Sequence, residues 1–341
     1  MHPAFTFPLT LLALAVEAVA GYPAPLYSAI GHPVTWMGAL LRFLDARLNV
    51  EGESFALRRA KGALALALLL AATGLCAWLI QRIVPGGILG MLVLAVLCST
   101  LLAQTSLYDH VQKVADAFEP DDPDESIEEY NRSFPFRLEA ARKAAAMIVG
   151  RNVAVLDEAG VSRAAVESLA ENFSDGIVAP AFWMALGGLP GAALYKAANT
   201  ADSMIGHRTD RYNAFGWAAA RLDDLINLPA SRLASLCIIL AAAVQPGASA
   251  RDAVRAVLRD AGKHRSPNAG WPEAAMAGAL GLKLAGARVY GNTIVPDAYM
   301  GDGRRALTAA DIFRALRLYG WACTVLWMIV AAGIGAVWWI G

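Results

Sequence analysis

Glu167, Glu171, Asn172 and Asp175 fall at spacings that a helix turns into one polar edge. At about 100° per residue the three carboxylates lie within about 80° of one another, with Ser174 beside them. Like charges so placed repel, and the edge needs cations or a metal to hold it. Hard oxygen ligands suit Mg2+, which takes one or two carboxylates and completes its shell with water or substrate phosphates. Glu167, Glu171, Asp175 and the later Asp202 are the candidate ligands. The plainer alternative is a solvated helix edge with Arg or Lys partners. A helix beginning near Ser162 would carry the stretch directly into 177–195, an apolar segment of membrane character. Acids delivered to the edge of a bilayer point to a polar reaction centre at the membrane surface.

A second constellation follows. On a helix, Lys196, Asn199, Ser203 and His207 share a face about 80° wide, with Asp202 next to Asn199. Lys, Asn and Ser bind phosphate or carboxylate oxygens, and Arg208 and Arg211 add positive charge close by. The alternatives are snorkelling for Lys196 and a structural role for His207 beside Arg208. Arg221 and Asp224 stand three apart and can pair on one helix, with Asn227 beyond. Asp223 and Asp224 point to different faces, so only one of them can face a given site. His32, in Gly31-His32-Pro33-Val34, and Asn268, in the turn-rich run Ser266–Pro272, are weaker binding candidates. No Walker-type loop, no dinucleotide-binding glycine pattern after a strand and no nucleophile elbow occur.

The elements that must position these groups are membrane helices. The chain has 341 residues, 57% apolar and only 17% charged, with a mean hydropathy of +0.44. Soluble domains run at about 45–50% apolar and about 25% charged. The formal net charge is zero, which gives no support to nucleic-acid binding. A span needs about 20 apolar residues. Segments 5–20, 62–80, 86–103, 177–195, 233–244 and 321–340 are the candidates. The first lacks a basic leader and reads as a retained helix. The Gly- and Pro-rich 177–195 either crosses or re-enters, and its composition favours re-entry into a protein-lined cavity. Arg42, Arg47, Arg58, Arg59 and Lys61 place the first long loop in the cytoplasm by the positive-inside rule. The acidic tract 116–129, which includes Asp121 and carries two prolines, Pro120 and Pro123, reads as a solvated loop. The cysteines, Cys76, Cys98, Cys237 and Cys323, are isolated in apolar runs, read as buried small hydrophobes, and show no zinc spacing. Glu17, deep in the first apolar segment, must face the interior, be neutral or pair with another segment.

The string from Glu167 to Pro180 continues through Gly187–Gly191, Tyr195-Lys196, Asn199–Gly206, Phe215-Gly216-Trp217 and Ala220–Asp224. It resembles the adenosylcobinamide-phosphate synthase family of cobalamin biosynthesis (CbiB/CobD). His32-Pro33-Val34, Ser106-Leu107 with His110, Ile148–Arg151 and Ser266–Pro272 match as well, so the likeness spans most of residues 30–295. The family commonly has Asp-Thr where Asn152-Val153 stand, Tyr at His207 and Asp at Tyr22. Those departures set Asn152, His207 and Tyr22 aside as catalytic candidates.

The resemblance implies an acid–amine ligase in the bacterial inner membrane, with its site facing the cytoplasm. It would join adenosylcobyric acid to aminopropanol or aminopropanol phosphate, with ATP as energy source and other enzymes of the pathway as possible neighbours. Combined with the residue patterns, it makes Glu171, Asp175, Lys196 and Asp202 the catalytic candidates. Asn172, Asn199, Ser203, Arg208, Arg211, Arg221, Asp224, His32 and Asn268 become candidates for substrate and phosphate binding. The rival class is a non-catalytic corrinoid transporter or membrane sensor. The expected fold is all-α and polytopic, with four to six membrane helices, some broken or re-entrant, in one membrane-embedded domain over 1–341. Within it, 107–176 is a largely cytoplasmic helical insertion, 196–227 the active-site segment and 247–318 a polar cytoplasmic segment before the last membrane helix.

Overall fold

Alanine- and leucine-rich runs with few β-branched stretches favour helix, and helix dominates the computed structural model. It describes every residue except Met1, Asp121, Pro123, Arg151, Ala287, Gly291, Asn292, Pro296 and Gly341, so the readings on Asp121, Pro123 and Arg151 lie outside the described residues. The helices are α1 (Pro3–Ala20), α2 (Ala24–Ile30), α3 (Pro33–Leu48), α4 (Phe55–Ile83), α5 (Ile88–Ser99), α6 (Gln104–Asp116) and α7 (Ile127–Ala146). After them come α8 (Glu158–Phe173), α9 (Ala179–Ile205), α10 (Trp217–Ile226), α11 (Leu228–Val244), α12 (Ala250–Asp260), α13 (Gly270–Leu280) and α14 (Ala309–Ile340). Among the described residues, four short strands interrupt the last connection. Leu284–Ala285 pairs antiparallel with Tyr299–Met300, and Arg288–Tyr290 with Thr293–Val295.

Among the described residues, five stretches are long and apolar enough to cross a membrane: Pro3–Ala20, Phe55–Ile83, Ile88–Asp116, Glu158–Ile205 and Ala309–Trp339. α10 and α11, bent by 45° at their junction, make a sixth if they count as one span. The chain is therefore an all-α polytopic membrane protein. Leu64, Leu68, Leu75 and Leu79 of α4, with Leu89, Leu92 and Val96 of α5, are exposed. In water such a surface would drive association; against lipid it is the expected outer face. Cys98 and Cys237 are buried as expected, whereas Cys76 belongs to the exposed face of α4.

The chain divides into two compact units. The first comprises 1–104, 175–230 and 327–341, and the second 105–174 and 231–326. In the first unit α9 is the hub, packed by α1, α3, α4, α5 and α10. Its segment 177–195 turns back on itself, as its glycines and prolines suggest: the Tyr195 hydroxyl lies 3.0 Å from the Asp175 carbonyl oxygen, and a Cβ on Gly191 would lie 2.2 Å from that of Trp183. The chain reverses at Gly188 (φ 62°, ψ −148°) and resumes as helix alongside the first half. It can do so because the amide it frees, Leu189 N–H, donates to Oε1 of Gln81 on α4 at 2.9 Å. A broken helix at membrane depth persists where a neighbour satisfies the released backbone group.

Glu17 is 3% exposed and accepts from Gln104 Nε2 at 3.0 Å, so the intramembrane acid faces the interior. Gln104 also accepts from Trp327 Nε1 at 2.9 Å. In the second unit α13 packs on α8 and α12, and α7 on α8. The acidic tract is only partly loop. Ser126 caps α7 in a reciprocal box with Glu129, and Glu125 pairs with Arg137 at 2.7 Å. This puts Glu128 and Glu129 in the first helical turn, where the helix dipole favours acids.

Two glycines set how closely the loop 206–216 approaches the bundle. A Cβ on Gly216 would lie 1.6 Å from the Ile205 carbonyl oxygen, and one on Gly62 would lie 1.8 Å from that of Phe215. Both obstacles are backbone, so the loop itself would have to move. Gly216→Ala and Gly62→Ala are each expected to cost about 1–3 kcal/mol or more. Thermal unfolding in detergent measures this, and a change below about 0.5 kcal/mol would show that the approach is looser than described.

Candidate active site

α9 carries the polar centre of the first unit. A π turn, Ser174–Val178, precedes it and shifts the helical phase just where Asp175 leaves the preceding face. Single π turns of this kind are frequent at functional sites. One of the acids that sequence spacing put on a single edge therefore enters different surroundings. Asp175 is half-buried, and its carbonyl oxygen lies 3.0 Å from the Tyr195 hydroxyl. The same hydroxyl lies 2.9 Å from Oδ1 of the buried Asn227 on the α10–α11 junction. Asn227 Nδ2 donates to Asp223 Oδ2 at 3.0 Å, and Asn199 Nδ2 donates to Asp223 Oδ1 at 3.2 Å. Lys196 sits in the field of both Asp175 and Asp223. Two carboxylates, one ammonium, two amides and a phenol thus form one network inside the helices.

His32 joins this centre from the N-cap of α3. Its Nδ1 accepts from Val34 N–H at 3.2 Å, which leaves the proton on Nε2, and the Thr100 carbonyl is its acceptor. Burial, and then the positive charge of Lys196, push the imidazole below its usual range, while Thr100 works the other way. His32 is accordingly neutral at neutral pH. A neutral imidazole between a lysine and a carbonyl is a positioning element rather than a cation for phosphate.

The remaining predicted residues fall into other surroundings. Glu167 is 5% exposed, accepts from Ala285 N–H at 2.7 Å and lies 3.8 Å from Arg163, so it braces the second unit. The helix bearing it starts four residues before Ser162, at Glu158, because Asp157 caps it through Gly160 N–H. Glu171 is exposed, and Asn172 donates back to Ser168. Asn268 is buried and accepts from Ser231 and from Arg232, whose guanidinium covers the Trp271 ring at 4.3 Å. Asp202 folds against Gly206 at the end of α9, close enough that a Cβ there would sit 1.9 Å from its Oδ1. Ser203 donates to the Asn199 carbonyl at 2.9 Å. His207 and Arg208 are exposed.

Arg211 is committed elsewhere. It pairs with Asp45 at 2.9 Å and reaches Glu51 at 3.7 Å, while Asn49 and Arg58 hold its carbonyl. Removing it from Asp45 would leave a carboxylate with 12% side-chain exposure uncompensated, so it is a structural cation rather than a phosphate ligand. Arg221 and Asp224 pair at 3.8 Å on the exposed side of α10. Of the adjacent aspartates it is Asp223, not Asp224, that faces the network. Among the described residues no three His, Cys, Asp or Glu side chains are placed to hold a metal ion. Glu167, Glu171, Asp175 and Asp202 are thus not gathered into one such cluster. Trp183 donates to the Ile226 carbonyl at 3.1 Å, and Arg59 covers one face of Trp217 at 3.3 Å.

Sequence reasoning missed Tyr195, Asp223 and Asn227 as site members. The spacing of Tyr195, Lys196 and Asn199 on α9 was available. The four-residue step from Asp223 to Asn227 would have revealed their shared face.

Fold and site together define a polytopic helical membrane protein with a charged, amide-lined centre inside its spans. Residues 10–319 match the family model described as CobD/Cbib protein, and the chain belongs to that family. It is 49% identical over 321 residues to "Cobalamin biosynthesis protein CobD" from Sinorhizobium sp, covering 92% of this chain and 94% of the relative. It is 44% identical to the protein of that name from Rhodobacter capsulatus, over 97% of this chain and 98% of the relative. It is 45% identical to that from Brucella suis, over 95% of each. No solved structure matches. The chain's role is thus in cobalamin biosynthesis.

Two outcomes test the network. Asp223→Asn leaves an amide facing two amide donors and should lower stability by about 1–3 kcal/mol. Asp224→Asn should change it by less than about 0.5 kcal/mol. Equal effects in detergent unfolding would contradict the assignment. Because the folded state resists protonating His32, its contribution is complete above the ordinary imidazole range, about 6.5, and is lost as pH falls through it. His32→Asn should flatten that part of the stability–pH curve between about pH 7.5 and 5.5.

Proposed function

We propose that this protein is a membrane-embedded acid–amine ligase that forms adenosylcobinamide or its phosphate. Its substrates would be adenosylcobyric acid and aminopropanol or aminopropanol phosphate, with ATP as cosubstrate. The observation that carries the reading is the Lys196 centre, where an ammonium is flanked by Asp175 and Asp223 within a chain of this family. A ligase of this type must gather anionic oxygens from a carboxylate and from phosphates and hold them while a leaving group departs. An ammonium preset by two carboxylates, with amides fixed around it, does this without reorganising.

In the proposed sequence the corrin side-chain carboxylate attacks the γ-phosphorus of ATP, and ADP leaves. The acyl phosphate is then attacked at carbon by the free amine, the C–O bond breaks, and inorganic phosphate departs. Lys196 would balance charge on the phosphoryl oxygens. Asp175 would take the proton that the amine loses on forming the amide. Asn199 and Asn227, fixed by Asp223, would hold the carboxylates in register. Arg208 and Arg221, on the exposed side, would receive nucleotide phosphates, taking over the part that Arg211 cannot play. Magnesium would arrive on the nucleotide as part of the substrate. The site would face the cytoplasm of a bacterial inner membrane, where ATP and other enzymes of the pathway are found.

One feature favours a second reading. The break at Gly188 lies within the same span as the polar centre, as in membrane proteins that move a solute past a broken helix. A corrinoid transporter or sensor would use the cluster for binding alone.

Purified protein in detergent, given Mg-ATP, adenosylcobyric acid and aminopropanol phosphate, should yield the amide by mass. A substrate carboxylate labelled with heavy oxygen should pass one label to released phosphate. Asp175→Asn and Lys196→Met should each lower turnover by about 10²–10³-fold with membrane insertion unchanged. Absence of amide together with corrinoid flux into liposomes would overturn the ligase in favour of transport.

A further inference from the structure

Within the second unit, a groove of about 550 Å³ is lined by Gln245 and Pro246, just beyond α11, and by Arg317, Gly320, Trp321 and Thr324 on α14. Its position along α14 is set by charge. Arg317 is the last ionised residue of that helix, and the 23 positions from Leu318 to Ile340 carry none. A run of that length spans a bilayer core, so Arg317 stands at its water boundary. The groove extends from there about two turns into the apolar zone, roughly 10 Å at 1.5 Å per residue.

Three of its groups lack occupants. Arg317 is exposed and makes no ion pair or hydrogen bond among the described residues. Gln245 is 6% exposed. Its Nε2 donates to the Arg314 carbonyl at 3.3 Å, and its Oε1 is buried without a hydrogen-bond partner among the described residues. An acceptor so left costs about 1–3 kcal/mol unless something donates to it. Gly320 leaves room, because a Cβ there would meet nothing within 4 Å. The flanks are apolar: Leu236, Leu240 and Val244 of α11 and Trp321 of α14 are all exposed.

We propose that this groove holds one phospholipid, with its phosphate on Arg317, a headgroup amine or hydroxyl donating to Gln245 Oε1, and its chains along the exposed faces of α11 and α14. A guanidinium matches a phosphodiester, and an unpaired amide oxygen matches a donor-bearing headgroup. Trp321 at the boundary suits the glycerol level. The exposed leucines beside the groove select a lipid over a soluble phosphate ester, because only a lipid covers them. The chemistry also selects among lipids: phosphatidylethanolamine and phosphatidylglycerol carry a donor, and phosphatidylcholine carries none.

The test uses full-length, delipidated protein in detergent, titrated with each of the three lipids and read by native mass spectrometry. Phosphatidylethanolamine and phosphatidylglycerol should bind about tenfold more tightly than phosphatidylcholine. Arg317→Gln should weaken them about tenfold. Gly320→Leu fills the groove where no protein atom stands and replaces a poor helix former by a good one, so it should abolish retention with unfolding unchanged. Equal binding of phosphatidylcholine, or retention unaffected by either variant, overturns the proposal. So does displacement of the lipid by aminopropanol phosphate in an Arg317-dependent manner, which would make the groove a soluble-ligand site.

Discussion

Lys196 sets the terms for the helices around it. A long cation within a span is tolerated only where it reaches water or meets opposite charge, since an isolated one costs at least about 2.5–3.5 kcal/mol at helix centre. Here Asp175 and Asp223 supply the opposite charge from two directions. Each of them then needs its own support. Asp223 is fixed by Asn199 and Asn227, Asn227 lies against the Tyr195 hydroxyl, and that hydroxyl meets the backbone of Asp175. The network closes on itself. Loss of one member leaves another polar group buried without compensation, which is why such clusters hold their geometry firmly.

The surrounding architecture serves that closure. α9 must be long enough to carry Tyr195, Lys196 and Asn199 and still make its bend at Gly188. α10 must lie close to it for Asp223 to reach Asn199. The glycines at 62 and 216 allow the connecting loop to press against α4 and the end of α9. Arg211, tied to Asp45 with Tyr212 at 3.3 Å from the same carboxylate, pins the loop's other side. The loop between α9 and α10 is therefore defined at both ends, and α10 inherits a fixed position from it.

Much of this was legible in the sequence, and the exceptions have physical reasons. Apolar run lengths located the spans, because hydrocarbon thickness imposes a length that composition reveals. The inward position of Glu17 followed from the cost of exposing it to lipid. Spacing alone misled at the Glu167 stretch, because a π turn changes helical phase and nothing in the residue types announces it. It also could not choose between Asp223 and Asp224, which differ only by which side of α10 meets α9. Arg211 was drawn as a phosphate ligand because its partner Asp45 is 166 positions away in the chain. Gly and Pro in 177–195 signalled the turn back correctly, but what receives the freed amide there is a tertiary fact.

That recipient is Gln81, and the Gln81–Leu189 bond has a mechanical meaning. It joins α4 and α9 at one fixed height, as a rivet joins two staves. Helices in membranes of unequal thickness ordinarily adjust by tilting or sliding past one another. These two cannot slide without exposing an amide to hydrocarbon. A thicker or thinner bilayer must then be met by local deformation of the lipid or by tilting both helices together. The polar centre on α9 would keep its geometry across membranes of different composition, with the adjustment falling on the lipid.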